Sequence, residues 1–356
     1  MPTTIGNLWI PQVWTQNLRE RQATFPALWN AGIVTRADLF DAIASGPGIS
    51  ANVPFLNDIT DQGDEVQVEN TAPVTDNNQP GATQVFPLMN RVKKNSSTAL
   101  AAQLSGADPM AAIIDQMTEN RLKNRQKTLI ALLRGLFASA GSGLGAAGYV
   151  AGALDAVKVN YGGQEPFSEN GLAAGVNNLF SPDMFIDAKA LMGELGDLLK
   201  QGCLLVHPNI KARLEKLDSL NFKSIIMPSE LPWTITTYRD IPIFTSASLV
   251  RAGTVGGYVY DSYLVAKGMV AYGEKPQQGD TTDVASIQYW RDRDLNNELI
   301  WDRTRFILGV NGTKWVGTAA NANNGPTNAE LQTPGNWQMV FQSANRVGAV
   351  CIRTNG

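Results

Sequence analysis

Histidine is almost missing from this chain, which holds one, His207, in 356 residues. A Ser-His-Asp or Cys-His arrangement would have to use that single ring, and a histidine-based metal site has no partners to draw on. Cysteine is nearly as scarce. Cys203 and Cys351 stand far apart with no C-x-x-C spacing, which suits buried thiols in a reducing compartment better than a disulfide framework or a zinc site. Charge is thin as well: 17% of residues are Asp, Glu, Lys or Arg, against the usual ~25%. The net charge of −3 argues against a nucleic-acid binder, which carries a basic surplus. No Gly-Lys-Ser/Thr occurs, so no P-loop is present. Apolar runs are broken well before the length of a membrane span, so no transmembrane helix is expected. The opening "MPTTIGNLWIPQVW" lacks a basic segment followed by an apolar core, so no signal peptide is expected. The expectation is a soluble, cytoplasmic chain.

Asn, Gln, Thr and Gly fill the place of the missing charge. A polar but weakly charged surface suits burial against neighbours. The length suggests about two domains, and the 44% apolar content is ordinary for a folded protein. Residues 1–44 read as an arm with helical fragments. Trp9, Trp14, Phe25, Leu28 and Trp29 are too many apolar side chains for a segment without its own core, so the arm is expected to pack elsewhere on the fold or on another chain. Residues 45–97, punctuated by Pro47, Pro54, Pro73, Pro80 and Pro87, read as a long β-hairpin. No Lys or Arg lies between Arg36 and Arg91, while Asp58, Asp61, Asp64, Glu65, Glu69 and Asp76 fall inside. Two thin strands are marginal alone, so this acidic hairpin is expected to find support on a partner.

The strongest helix signal follows, with Asp108 as N-cap, Pro109 in the first turn and a helix running to about residue 140. Its ends are apolar (Met110, Ile113, Ile114, Met117; then Leu129, Leu132, Leu133, Leu136, Phe137), and its waist is basic, with Arg121, Lys123, Arg125 and Lys127. Such a helix is predicted to be buried at both ends and to offer its middle to something acidic. The segregation of charge makes the acidic hairpin of a neighbouring copy the expected partner. Just beyond, Gly143, Gly145 and Gly148 match the G-x-G-x-x-G dinucleotide fingerprint. That fingerprint must leave a strand and open a helix; here it follows a helix, so the glycines read as a helix end and a joint.

From there helix and strand alternate. Ser181-Pro182 caps a helix predicted to run through Lys200; "CLLVHP" is a buried strand leading into the helix "PNIKARLEKLD"; and "WTITTYRDIPIFTS" reads as strand, turn at Arg239-Asp240, strand. Later strands are "GYVYDSYLVAKGMVAYGEKP", "DVASIQYWRDRD" and "LIWDRTRFILGV", and "NWQMVFQ" and "VGAVCIRTN" form a final pair. The class is α+β. His207, at a strand-to-helix junction, reads as a structural ring at a helix start. Asp292, Asp294, Glu298 and Asp302 are interleaved with Arg291, Arg293, Arg303 and Arg305, so ion pairs account for them more simply than a magnesium site. Lys93-Lys94 reads as solvated or interface charge. Asn95-Ser96-Ser97 and Asn311-Gly312-Thr313 match the glycosylation sequon, which means nothing in a cytoplasmic chain. No residue set points to catalysis or to a cofactor.

The order of these elements resembles the major capsid protein of tailed phages, the Hong Kong 97-type fold. "LLVHPNIKARLEKLDSL" followed by "ITTYRDIPIFTSASL" resembles the family's strand–helix pair and its Y-x-G/D-I-P turn; "YVYDSYLVAKGMVAYGE" resembles the strand before the late hairpin. "TRFILGVNGTKWVG" and the segment from "GPTNAELQ" to "VCIRTN" resemble the C-terminal return. The resemblance implies an N-arm at 1–44, an extended loop at 45–97, and a peripheral domain with a spine helix at 98–145. It further implies an axial α/β domain over most of 146–290 and C-terminal strands, 291–356, returning to the peripheral domain. It implies a homo-oligomeric shell of hexamers and pentamers around double-stranded DNA bound without sequence specificity. Scaffolding, separate or already removed, and portal and decoration proteins are candidate further partners, and no membrane or cofactor is implied. Such a shell is assembled in the host cytoplasm and located in the virion. An encapsulin-like nanocompartment and a soluble α+β enzyme are the alternatives. The inter-subunit candidates are Asp58, Asp61, Asp64, Glu65, Glu69, Arg121, Lys123, Arg125 and Lys127, with Trp9, Trp14 and Trp29 of the arm. Equilibrium dialysis with NAD or ATP is expected to show no stoichiometric uptake, and uptake would overturn the reading of residues 141–148 as a joint.

Overall fold

The computed structural model describes residues 33–36, 38–46, 48–56, 81–98, 109–137, 139–140, 150–151, 154, 179–193, 196, 202–226, 234–252, 257–275, 287–292, 296–319 and 325–355. The arm's Trp9, Trp14, Phe25, Leu28 and Trp29, the acidic residues 58–76, Asp108, and residues 141–148 lie outside this set.

The chain enters the described fold through β1 (Val34–Arg36), a short helix α1 (Asp38–Ser45), β2 (Ser50–Leu56) and the long β3 (Gly81–Thr98). Helix α2 (Pro109–Phe137) follows, then the two-residue strands β4 (Ser139–Ala140) and β5 (Val150–Ala151). Next come α3 (Pro182–Leu191), β6 (Cys203–Val206), α4 (Pro208–Leu217), β7 (Phe222–Ile226), β8 (Thr234–Tyr238), β9 (Ile241–Thr245), β10 (Val250–Ala252) and β11 (Tyr258–Val265). The last part holds β12 (Val270–Glu274), β13 (Ile287–Asp292), β14 (Asn297–Val310), β15 (Thr313–Trp315), α5 (Asn328–Gln332), β16 (Trp337–Met339) and β17 (Ala349–Thr354).

Two sheets share no strand. The first runs β1-β12-β14-β3-β2, with β13 also on β14. Its hairpin stem is as expected: Ser50 to Leu56 pair antiparallel with Pro87 to Gly81. The rest of β3, from Leu88 to Thr98, pairs instead with β14. One strand therefore belongs to the hairpin at its start and to the sheet centre at its end. The second sheet runs β10-β11-β6-β9-β8-β7, with β17 on β11. The turn between β8 and β9 has both Arg239 (φ 49°) and Asp240 (φ 65°) in the left-handed region, the geometry that a two-residue hairpin loop needs to match strand twist.

Two expectations need correction. Helix α3 stops at Leu191 rather than reaching Lys200. Gly193 (φ 57°) turns the chain out of the helix, and Gly196 then lies against the Lys189 carbonyl, where no Cβ fits. The late strands do not pair with one another, since β16 pairs with β15 and β17 with β11. β14 is central in the first sheet, whereas β17 joins the second, where Cys351 lies opposite Tyr263.

Helix α2 lies against both sheets. Leu129, Leu132, Leu133, Leu136 and Phe137 are fully buried in a single core that also takes Leu204, Leu205, Tyr263 and Cys351 from the second sheet and Phe306 and Leu308 from the first. The other end of α2 is less buried than its apolar sequence suggests: Met117 meets Ile300, but Ile114 is exposed. Gly135 costs the helix up to ~1 kcal/mol in propensity. Its missing side chain lets α5 approach, because a Cβ there would collide with the Leu331 carbonyl, which accepts a hydrogen bond from Trp337 Nε1 at 2.9 Å. Both cysteines are buried and free, and burial pushes the Cys203 thiol up to about 12.

Charge joins the helix to the second sheet. Asp261 on β11 is fully buried. It accepts from Arg134 Nε of α2 at 3.0 Å and from Arg353 Nε of β17 at 3.0 Å, with Arg251 Nε at 3.8 Å. Arg134 also donates to the carbonyls of Ser248 and Val250, at 3.0 and 3.1 Å. Removing the carboxylate would leave buried guanidinium groups without their counter-charge. Asp261→Asn is therefore expected to destabilise the fold by ~3–5 kcal/mol, read from urea unfolding; a loss under ~1 kcal/mol would contradict this account.

Candidate functional site

The single histidine caps a helix. His207 Nδ1 accepts from Asn209 N at 3.2 Å, and its ring lies 5.0 Å from that of Tyr260, whose hydroxyl accepts from Asn209 Nδ2 at 3.1 Å. An acceptor at this position satisfies an orphan N–H of the first helical turn. The ring is thus held by structural contacts, as the junction suggested. Asp302 turns toward α2, Glu298 faces Arg291 in the β13–β14 register, and Asp294 lies outside the described residues. Among the described residues no group of three His, Cys, Asp or Glu side chains is placed to hold a metal ion.

The basic waist of α2 is the most charged feature. Two of its four bases find acidic partners within the chain. Arg121 forks onto Asp302 of β14, Nη2 to Oδ1 at 2.5 Å and Nε to Oδ2 at 3.4 Å. Arg125, buried, pairs with Glu274 of β12, and its guanidinium lies over the rings of Tyr272 (5.6 Å) and Phe306 (5.3 Å), a favourable place for a cation. Tyr272 donates to the other Glu274 oxygen at 2.5 Å; burial holds its hydroxyl pKa well above the usual range. Lys127 is exposed and Lys123 half-buried. The acidic counterpart expected for the waist is therefore partly internal.

Between this waist and the β3–β14 ribbon lies a cleft of about 190 Å³, lined by Arg91, Lys93, Arg121 and Arg125 and, among polar groups, by Asn120, Asn124, Thr128, Thr304 and Asn328, with Asp302 its one carboxylate. Arg91 Nη2 donates to the Pro326 carbonyl at 2.5 Å, and burial lowers its pKa from the usual arginine value. On β3, Lys94 lies 5.2 Å from the ring of Trp301, its cross-strand neighbour.

A second set of contacts fixes the base of the hairpin. Asp41 of α1 accepts from Arg36 Nε and from the Glu274 amide, both at 2.8 Å. Arg305 of β14 donates through Nη2 to the carbonyls of Gly46 and Gly48, at 2.9 and 2.8 Å, clamping the turn from which β2 departs. The sequence reading did not single out Arg91, Glu274, Asp41, Asp261 or Arg305 in these roles. Each acts through a partner on a distant segment, and no local pattern marks such a residue. A local signal for α5 was present: Thr327 and Glu330 form a reciprocal capping box, Thr327 N donating to Glu330 Oε2 at 2.6 Å.

No protein-family model matches the chain. Over 342 residues it is 25% identical to the major capsid protein of Bacillus phage SPP1, covering 95% of this chain and 94% of that protein. Among solved structures it is similar to the capsid of Ralstonia phage GP4, with a TM-score of 0.59 at 8% identity, covering 99% of this chain and 97% of that one. The capsid of cyanophage P-SCSP1u gives a TM-score of 0.55 at 12% identity over 87% of this chain and 92% of that one. The capsid of the native GTA particle gives 0.52 at 12% identity over 98% and 96%. At such identities these structures speak for the fold. The fold is the phage-capsid one.

The His207 cap carries a pH dependence. Burial lowers the folded-state pKa of the ring, so the folded state binds fewer protons than the unfolded one between the two values. The cap's contribution is complete above the unfolded pKa near ~6.5 and is lost as pH falls through the lower folded value. His207→Ala is expected to cost about 1 kcal/mol at neutral pH. His207→Asn keeps an acceptor and should flatten the difference in melting temperature between about pH 8 and about pH 5.

Proposed function

We propose that the chain is a major capsid protein of a tailed phage, a structural subunit of the Hong Kong 97-type fold that assembles with copies of itself into an icosahedral shell. The observation that carries this is whole-length agreement. A phage major capsid protein aligns with 95% of the chain at 25% identity, and the capsids of Ralstonia phage GP4 and of the native GTA particle align with 99% and 98% of it. The protein is a component of the virion and is not an enzyme; its chemistry is that of surfaces.

On this reading the first sheet with α2 forms the peripheral domain, and the second sheet with α3 and α4 forms most of the axial one. Hexamers and pentamers enclose double-stranded DNA without reading its sequence, in keeping with the small acidic net charge. Scaffolding is either a separate chain or a segment already removed, portal and decoration proteins are the further candidate partners, and assembly takes place in the host cytoplasm. The arm, with Trp9, Trp14 and Trp29, packs across its own long helix or a neighbour's. Burying such side chains is worth roughly 1.5–3 kcal/mol each, enough to favour association over exposure.

Negative-stain imaging of purified protein, with any required scaffold supplied, is expected to show closed particles. Deleting residues 1–30 removes the aromatic arm but leaves β1 and α1, which dock on β12. The truncated chain should fold, with an unchanged circular dichroism spectrum, and should fail to close into shells or aggregate. Particles of normal size and stability from the truncated chain would make the arm dispensable.

A further inference from the structure

The cleft between α2 and the β3–β14 ribbon holds more cation than its own carboxylates answer. Arg91, Lys93, Arg121 and Arg125 line it, with Asp302 as the one lining carboxylate. Arg121 takes both oxygens of Asp302, and Arg125 pairs with Glu274 from β12. The other two cations have no such partner. Lys93 stands opposite Asp302 in the β3–β14 ladder, but that carboxylate is already forked, and Lys93 forms no ion pair among the described residues. Arg91 donates to the carbonyls of Asn90 and Pro326, at 3.3 and 2.5 Å, rather than to a carboxylate. Glu330 acts on it through space, with its carboxylate held in the Thr327 capping box. Burial nonetheless lowers the Arg91 pKa, the mark of a cation that has lost more water than counter-charge replaces.

The neutral lining adds donors. Thr128 donates to Asn328 Oδ1 at 3.2 Å, so the Asn328 NH₂ is the group left for a ligand. Arg125, a lining residue only 7% exposed, keeps an Nε–H for which the chain supplies no acceptor. The volume of about 190 Å³ falls below the ~300 Å³ at which pockets for drug-sized molecules begin. At ~30 Å³ per water it has room for one small oxyanion and a few waters. Guanidinium and ammonium donors match such oxygens well. A nucleic-acid backbone instead needs a row of cations standing in the open, whereas Arg91 is half-buried and Arg125 buried.

We propose that this cleft binds one tetrahedral inorganic oxyanion of the phosphate class, held by Lys93 and Arg91 of β3 and by the Asn328 amide, with Arg121 and Arg125 fixed behind it by Asp302 and Glu274. Free phosphate and the phosphate of a DNA backbone share this chemistry, and the part-buried lining favours the free ion. An anion there ties β3 to α2 and α5 and strengthens the joint that holds the long helix. The site stands independently of the shell reading.

Equilibrium dialysis of the purified full-length protein against radiolabelled phosphate, in chloride buffer of constant ionic strength, is expected to show one ion per chain. Phosphate at about tenfold its Kd should raise the melting temperature by about 2–4 °C. Lys93→Gln removes a cation that makes no internal ion pair, so the variant should fold, and it should bind phosphate about tenfold more weakly. Arg303→Gln makes the same change of charge at an exposed residue on the opposite face of β14, and should bind like the parent. A general salting effect of phosphate on apolar burial would raise the melting temperature of parent and both variants equally, and that result overturns the site. So does the absence of stoichiometric uptake by the parent. A duplex oligonucleotide that displaces phosphate from the parent, and loses affinity with Lys93→Gln, would assign the cleft to a DNA backbone and overturn the free-ion assignment.

Discussion

Everything else in this molecule depends on how helix α2 is held. Among the described residues the two sheets have no strand in common, so no hydrogen-bond ladder there fixes one against the other. The helix fills that role. Its second half is buried in the core shared by both sheets, and its arginines fasten it at each side: Arg121 and Arg125 to β14 and β12, Arg134 to β11. Apolar burial supplies the adhesion, which has no preferred direction. The ion pairs supply direction, because a buried guanidinium left without its carboxylate is costly. Gln126, donating to Ser246 Oγ at 2.8 Å, adds a neutral contact of the same kind. A helix fastened in this way sets the angle between two sheets as a bracket sets the angle between two panels.

The chemistry of a shell subunit follows from that economy. Charged groups are few, and most of the described ones on α2, β11, β12 and β14 serve internal joints. Some of what faces outward is apolar: the Val92 side chain on β3 and the Trp290 side chain on β13, the two strands that flank β14, are more than half exposed, as is Leu220 after α4. Scattered exposed apolar residues need no explanation.

Elements set by local chemistry were legible in the sequence. Pro109 placed the start of α2, Arg239-Asp240 placed a hairpin turn, and Pro208 after the lone histidine placed both α4 and its cap. Where a residue's role depends on a distant segment, the sequence reading failed or fell short. The run 258–274 reads as continuous strand, yet β11 and β12 enter different sheets, separated by Gly268 in a left-handed conformation. The leucines after residue 191 prolonged α3 on paper because periodicity does not register two glycines placed to end it. The basic waist was seen, but not that Asp302 and Glu274 answer half of it. Charge counted along a chain does not say which charges meet.

Strand β3 has a mechanical consequence. Its 18 residues span ~59 Å at ~3.3 Å per residue, tied at one end to β2 and at the other to β14. An extended strand hydrogen-bonded along its length is stiff against stretching, so it acts as a pushrod rather than a hinge. A displacement at the hairpin end is delivered to the part of the strand that is paired with β14. Pulling on the hairpin therefore loads the centre of the first sheet directly, through one unbroken strand and no intervening loop.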